Sequence, residues 1–305
     1  MSSAAPKTVA VIGATGNQGM SVVKSLLETY PVRAFTRSPE KLQSLASEQP
    51  RLSIAHVADL TDTVAIKTEL KGVWALFVNT YSDYTQPIGA EEKQGRAIVD
   101  AARDAGVEWL VYSSLPQGFP FRSFEEKANV AKYAREVAKT SGLKNIFPEL
   151  GWYMTNIYWN PPVQTADGVV EFRWSCVDET TVFGLISTQT DLGPIIKAIL
   201  ANPSEWEDAD IPIVSEAYTV PQIAEIYGKV HNVKTRAVFS EHMVDNKPFP
   251  AWPIMGKALT EVGSWPAYKG REQELNVMSK KLFPGLKTWE QWLKENTLNV
   301  VKESK

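Results

Sequence analysis

The sequence predicts a doubly wound α/β fold, a mostly parallel sheet covered on both faces by helices. Three observations predict it. Short β-branched and apolar runs alternate with helical stretches over residues 7–147. A glycine-rich turn joins the first run directly to the first helix. The apolar runs show no in–out alternation, as strands buried on both faces require.

The elements follow in order. Residues 7–12 (KTVAVI) read as a strand, and Met20, Val23, Leu26 and Leu27 mark the apolar face of the helix after it. A second strand is predicted over 31–35. It is followed by a helix that Ser38 caps and that carries Pro39 at its first position. A third strand over 52–57 precedes a short helix over 62–70, and 73–78 (VWALFV) is a fourth buried strand. A helix over 86–105 ends at the Ala105-Gly106 stop. Then come a strand over 109–112, a helix over 123–140 and a strand over 144–147.

After Gly151 the alternation gives way to tryptophans, the Pro161-Pro162 pair and irregular spacing. Helices are predicted over 191–200, capped by Thr190 or Asp191, and over 220–230 after Thr219. From Thr288 an amphipathic tail helix carries Trp289, Trp292 and Leu293 on one side. The expected organisation is a first domain over 1–152 and a smaller mixed α/β region over 153–305, with the helix near 190–200 able to pack back on the first domain.

Composition narrows the function. Apolar residues make 44% of the chain and charged residues 22%, and the net charge is −3, so no global basicity recruits nucleic acid or an anionic membrane. The opening residues Met1–Lys7 lack a secretory pattern, and no apolar stretch reaches the ~20 residues of a spanning helix. Cys176 is the single cysteine, which excludes an internal disulfide. His56, His231 and His242 lack metal-ligand spacing, so no metal is expected. The expectation is a cytoplasmic protein, a homo-oligomer being possible, that acts on a small-molecule substrate or a regulatory protein.

Gly13-Ala14-Thr15-Gly16-Asn17-Gln18-Gly19 sits where a dinucleotide turn belongs, between the first strand and first helix. Gly13 makes the tight turn, Gly16 admits the pyrophosphate and Gly19 lets helix and strand approach, with helix amides facing the phosphates. This places the fold in the Rossmann type. An NAD site puts a carboxylate at the end of the second strand. Here that strand ends in Phe35-Thr36-Arg37, with no acid before Glu40. Arg37, joined by Lys41 one turn on, suits a 2′-phosphate, so the expected cofactor is NADP(H).

Further segments repeat a known pattern: Thr36-Arg37-Ser38-Pro39, Phe77-Val78-Asn79-Thr80, Glu92-Lys93-Gln94-Gly95, Val111-Tyr112-Ser113-Ser114, Tyr153-Met154-Thr155-Asn156 and Thr190-Asp191-Leu192-Gly193-Pro194. With the glycine turn, Lys127 and the closing Gln291-Trp292-Leu293, the chain resembles the NmrA-like branch of the atypical short-chain dehydrogenase/reductases over nearly its whole length. That branch includes NADP(H) redox sensors, with phenylcoumaran and isoflavone reductases as relatives. The resemblance implies cofactor contacts at Gly13–Gly19, Arg37, Lys41, Asp59, Leu60, Asn79, Thr80, Tyr81, Lys93, Lys127, Tyr153 and Asn156. Asp59 is expected to accept from the adenine amino group, and Tyr153 with Asn156 to close over the nicotinamide end.

Typical short-chain dehydrogenases carry a tyrosine four residues before a lysine, the tyrosine giving a proton as hydride arrives. Lys127 matches the lysine, but Ser123 stands in the tyrosine's place. Two roles for Lys127 remain open here: ribose ligand and proton donor. Ser114, with Ser113, is positioned to orient a substrate carbonyl. The tryptophans at 152, 159, 174, 252 and 265 are candidates for an aromatic pocket. The functional expectation is an NADPH-dependent reductase of a small carbonyl, enone or quinone-like substrate, or else a non-catalytic NADP(H) sensor that docks on a regulatory protein.

Overall fold

The computed structural model describes residues 7–241 and 251–303, so the opening residues before Lys7 and His242 lie outside the described residues. Its elements begin β1 (Thr8–Ile12), α1 (Asn17–Leu26), β2 (Val32–Thr36), α2 (Gln43–Glu48), β3 (Leu52–His56), α3 (Thr63–Glu69) and β4 (Val73–Val78). They continue α4 (Ala90–Ala105), β5 (Trp109–Tyr112), α5 (Arg122–Ala138), β6 (Lys144–Leu150), β7 (Trp152–Tyr153), β8 (Val163–Gln164), β9 (Val170–Ser175) and β10 (Val182–Ile186). The remainder are α6 (Leu192–Ala201), β11 (Asp210–Ile213), β12 (Glu216–Thr219), α7 (Val220–His231), β13 (Thr235–Ser240), α8 (Trp252–Val262), α9 (Asn276–Leu282), α10 (Trp289–Glu295) and β14 (Val301–Lys302).

Seven strands form one sheet in the order β11-β6-β5-β4-β1-β2-β3. The pairings from β3 through β2, β1, β4 and β5 to β6 are all parallel. Both faces of this sheet are covered, which is why Val9–Ile12 of β1 and Ala75–Val78 of β4 are all buried without alternation. The direction of winding reverses between β1 and β4, and ligands of such sheets bind beyond the strand carboxyl ends at that reversal. The fold is therefore Rossmann-type.

The chain divides into two compact units. The first comprises residues up to Leu115, Arg122–Glu149 and Thr188–Ile211. In it α6 packs on α1 so closely that a Cβ on Gly193 would lie 2.2 Å from the Ser21 carbonyl oxygen. The Gly193 amide donates to Ser21 Oγ at 3.1 Å. The second unit comprises Pro116–Phe121, Leu150–Ser187 and the chain from Pro212 onward. It holds a three-stranded sheet, β12-β10-β7, and a four-stranded sheet, β13-β9-β8-β14. Helix α10 opens on a capping box between Thr288 and Gln291, and the rings of Trp289 and Trp292 stack at 5.1 Å between centroids.

Several boundaries differ from the sequence expectation, each for a local reason. The helix predicted from residue 86 starts at Ala90, because Asp83 folds a turn onto Thr85 and Gly89 adopts φ +87. Ser38 makes no side-chain cap bond among the described residues; its amide instead donates to Thr36 Oγ1 at 2.9 Å, and Pro39–Leu42 is a 3₁₀ turn. The strand predicted over 144–147 continues to Leu150, and β3 stops at His56, leaving Asp59 in the loop beyond it. Among the described residues, no helix is long and apolar enough to cross a membrane.

Candidate functional site

The glycine turn lies at the sheet reversal. Gly13 has φ +83, and a Cβ there would lie 2.9 Å from the carbonyl oxygen of Asn79, just past β4. The Asn79 amide in turn donates to the carbonyl of Ile12 at 3.3 Å. The ends of β1 and β4 are thus held together through residues 12, 13 and 79. A Cβ on Gly19 would sit 2.1 Å from the Gly13 carbonyl oxygen, so α1 reaches the turn only because residue 19 has no side chain. Gly16 differs: its Cβ would meet only the Gly13 carbonyl oxygen, at 3.4 Å. Thr15, Gly16 and Asn17 are exposed, and the N-cap residue of α1, Gly16, supplies no side-chain cap. This open turn fits a pyrophosphate held by backbone N–H groups.

At the neighbouring strand end, Arg37 and Lys41 are exposed and enter no ion pair among the described residues. Both are available to a phosphate. Asp59, also exposed, turns Oδ1 to the Thr61 amide at 2.7 Å and the Thr61 hydroxyl at 2.8 Å. These two bonds, helped by the Lys93 charge, hold the carboxyl below its ordinary value. Leu60 beside it packs partly buried on the core. Lys93 itself borders an open groove of about 500 Å³ with Thr63, Gly89, Glu92 and Arg96.

The deepest polar cluster lies behind the end of β4. Lys127 of α5 is buried, and its Nζ is 2.6 Å from Glu91 Oε1 and 2.9 Å from both the carbonyl and the Oγ1 of Thr80. Thr80 Oγ1 donates to Glu91 Oε1 at 2.7 Å and stands 3.0 Å from the Tyr112 hydroxyl. Ser82 Oγ donates to the other Glu91 oxygen at 2.6 Å. Three acceptors meet the three hydrogens of the ammonium, so any ribose or substrate contact requires one of these bonds to break. Burial drives the Tyr112 hydroxyl far above its ordinary range, which keeps it a neutral phenol.

Glu126, next to Lys127, serves the same region differently. Its carboxylate accepts the amides of Gly89 at 3.1 Å, Glu91 at 2.9 Å and Glu92 at 3.2 Å, capping α4 from a neighbouring helix. Arg122 Nε lies 2.6 Å from the same carboxylate. Burial opposes ionisation, but the Arg122 guanidinium and the amides outweigh it and lower the pKa. One turn before Lys127, Ser123 Oγ accepts a bond of 3.1 Å from the hydroxyl of Tyr84 in the loop after β4.

Other expected residues are placed less centrally. Ser114 is buried, with its amide on the Pro148 carbonyl and Oγ 3.4 Å from the Leu115 carbonyl. Tyr81 is 74% exposed. In the second unit, Tyr153 ends β7 and Asn156 lies in the 3₁₀ turn Met154–Tyr158. There the tryptophans close on one another rather than around an open pocket. The rings of Trp152, Trp174 and Trp252 lie 5.6–6.1 Å apart. The cavity beside Trp152, Trp174 and Phe183 measures only about 20 Å³, room for one water. Trp159 is exposed, and Trp265 packs with Val214 and Leu275.

A model of the NmrA-like family matches residues 5–293. The chain belongs to the NmrA-like family. It is 32% identical over 255 residues to an NmrA-like family domain-containing oxidoreductase, ptmS, of Penicillium ochrochloron, covering 75% of each chain. Its fold matches that of NmrA, a negative transcriptional regulator solved with NADP, at TM-score 0.79 and 22% identity over 95% of each chain. It also matches an NADPH-dependent quinone oxidoreductase of Escherichia coli solved with NADPH, at TM-score 0.73 and 21% identity over 94% of this chain and 99% of that one.

Within this NmrA-like chain, sequence reasoning missed Glu91, Glu126 and Tyr84. Glu91 carried no distinguishing signal, since an acid in the first turn of a helix is ordinary, and Glu126 stands beside Glu125 as one of two adjacent acids. Nothing in the spacing tells that Lys127 meets a carboxylate 36 residues away.

Proposed function

We propose that this NmrA-like protein is an NADPH-dependent reductase of a small carbonyl, enone or quinone-like substrate. The observation that carries the cofactor choice is the end of β2, where exposed Arg37 and Lys41 stand without a carboxylate to receive a ribose 2′-hydroxyl. Gly13–Gly19 would hold the pyrophosphate, and Arg37 with Lys41 the 2′-phosphate. When bound, the dinucleotide supplies hydride. The chain must then orient the acceptor and provide a proton. The oxidoreductase name of the Penicillium ochrochloron relative and the NADPH-dependent quinone reduction named for the Escherichia coli neighbour support the reductase class.

One observation favours a second reading, a sensor that binds NADP(H) and docks on a regulatory protein. Lys127, expected as ribose ligand or proton donor, has its ammonium engaged by Glu91 and Thr80. The experiment that separates the two follows NADPH oxidation with a panel of aromatic aldehydes, enones and quinones. The reductase reading expects turnover with at least one class. No turnover, together with unequal affinity for NADPH and NADP⁺, supports the sensor.

A further inference from the structure

The proton that must accompany hydride transfer lacks an obvious source. Lys127 has its three donors engaged, and the position four residues before it carries Ser123, whose hydroxyl cannot match a phenol as an acid. The structure supplies a phenol at that place from elsewhere in the chain. Tyr84, in the loop between β4 and α4, donates its hydroxyl to Ser123 Oγ at 3.1 Å. Residues four apart on a helix are neighbours on one face, so the Tyr84 hydroxyl is held at the α5 position one turn before Lys127. Tyr84 is 41% exposed while Ser123 is buried. The buried serine anchors the hydroxyl of a residue that is itself partly exposed.

We infer that Tyr84 is the proton donor of the reduction, held by Ser123 in place of the tyrosine that this helix lacks. The inference rests on the reductase reading above. In the step, a bound NADPH would supply hydride to the carbonyl carbon, and the π pair of the C=O bond would move to oxygen. That oxygen would displace Ser123 Oγ as the acceptor of the Tyr84 hydroxyl and take its proton, and NADP⁺ and an alcohol would leave. A single exposed-side bond is exchanged here, where Lys127 would have to leave a buried carboxylate. The Tyr84 phenolate then regains a proton from water. Desolvation raises the Tyr84 pKa above that of a free phenol, so it enters the step protonated. The 122–127 turn of α5 thereby brings together an anchoring hydroxyl, a cap for α4 and the buried lysine.

The test measures kcat and NADPH affinity for the unsubstituted protein, Tyr84→Phe, Tyr84→Ser and the exchange variant Tyr84→Ser with Ser123→Tyr, using a carbonyl substrate found by the panel. Tyr84→Phe removes one oxygen and is expected to lower kcat at saturating cofactor by about 10²–10⁴-fold, with NADPH affinity within about twofold. The exchange returns a phenol to the helix and is expected to recover at least about tenfold over Tyr84→Ser alone. Where the exchange variant does not fold, Tyr84→Phe decides. A kcat for Tyr84→Phe within about twofold of the unsubstituted protein overturns the proton-donor role while leaving the reductase reading standing. A parallel loss of NADPH affinity also overturns it, by showing that the ring serves cofactor binding. Absence of turnover by the unsubstituted protein overturns the reductase reading itself, and the donor role falls with it.

Discussion

Lys127 Nζ lies 2.6 Å from Glu91 Oε1, with both side chains less than a tenth exposed, and this pair ties α5 to the first turn of α4. The Thr80 carbonyl and hydroxyl complete the shell, so the pair also fixes the end of β4. Two charges taken out of water in this way are tolerated because all three ammonium hydrogens and both carboxylate oxygens find partners.

Breaking the pair from one side is therefore costly. Lys127→Met or Glu91→Leu leaves a buried charge alone and is expected to destabilise the protein by about 3–5 kcal/mol. The double variant Lys127→Met with Glu91→Leu should lose markedly less than the two single losses added together. Urea unfolding of the four proteins gives the cycle. Strict additivity would show that the two side chains do not act as a unit.

Glu126 sets an acid limit on the same region. Its pKa is lowered in the folded chain, because Arg122 and the α4 amides outweigh burial. A depressed folded pKa means stability that is full above the unfolded value of about 4.3 and lost as pH falls through the lower folded value. Glu126→Gln should cost about 1.5–3 kcal/mol at pH 7, the range for charge-assisted bonds. The gap in melting temperature between the two proteins should narrow as pH drops below about 4. A gap that stays constant to pH 2 would contradict the capping role.

Gly16 and Gly19 should respond in opposite ways. At Gly19 a Cβ lies 2.1 Å from backbone oxygen, so Gly19→Ala forces α1 off the turn and should destabilise by at least about 1–3 kcal/mol. At Gly16 the space beyond is open, so Gly16→Val should leave a folded protein with a normal melting curve. Calorimetry with NADPH should find no binding to that folded variant. Undiminished binding would place the phosphates elsewhere.

The sequence and the structure agree most where one physical rule acts alone. Continuous apolar runs marked β1 and β4, and glycines at 13, 16 and 19 marked the turn, because burial on both faces and close backbone approach each leave a local signature. Disagreement appears where local rules compete. Pro39 suits an α-helix start, yet Thr36 Oγ1 takes the Ser38 amide and tightens the turn to 3₁₀. Gln86 falls in a run that reads as helical, yet Asp83 and Gly89 turn the chain before α4 can begin. The candidate site was legible in its glycines, Arg37 and Lys127. Glu91, Glu126 and Tyr84 were not, since each acquires its role from a partner more than 30 residues away. The tryptophans at 152, 174 and 252 were candidates for an aromatic pocket or for core, and their rings pack on one another.

The central claim is an NADP(H) site whose 2′-phosphate meets the end of β2. Isothermal titration of the unsubstituted protein and of Arg37→Ala with NADPH and NADH tests it most directly. Arg37 is exposed and its side chain makes no bond among the described residues, so its removal should leave the fold unchanged. The account predicts that the unsubstituted protein binds NADPH more tightly than NADH. Arg37→Ala should then weaken NADPH by about tenfold or more, a loss of roughly 1.5–3 kcal/mol, while NADH stays nearly unchanged. Equal losses for both cofactors, or tighter binding of NADH by the unsubstituted protein, would contradict it.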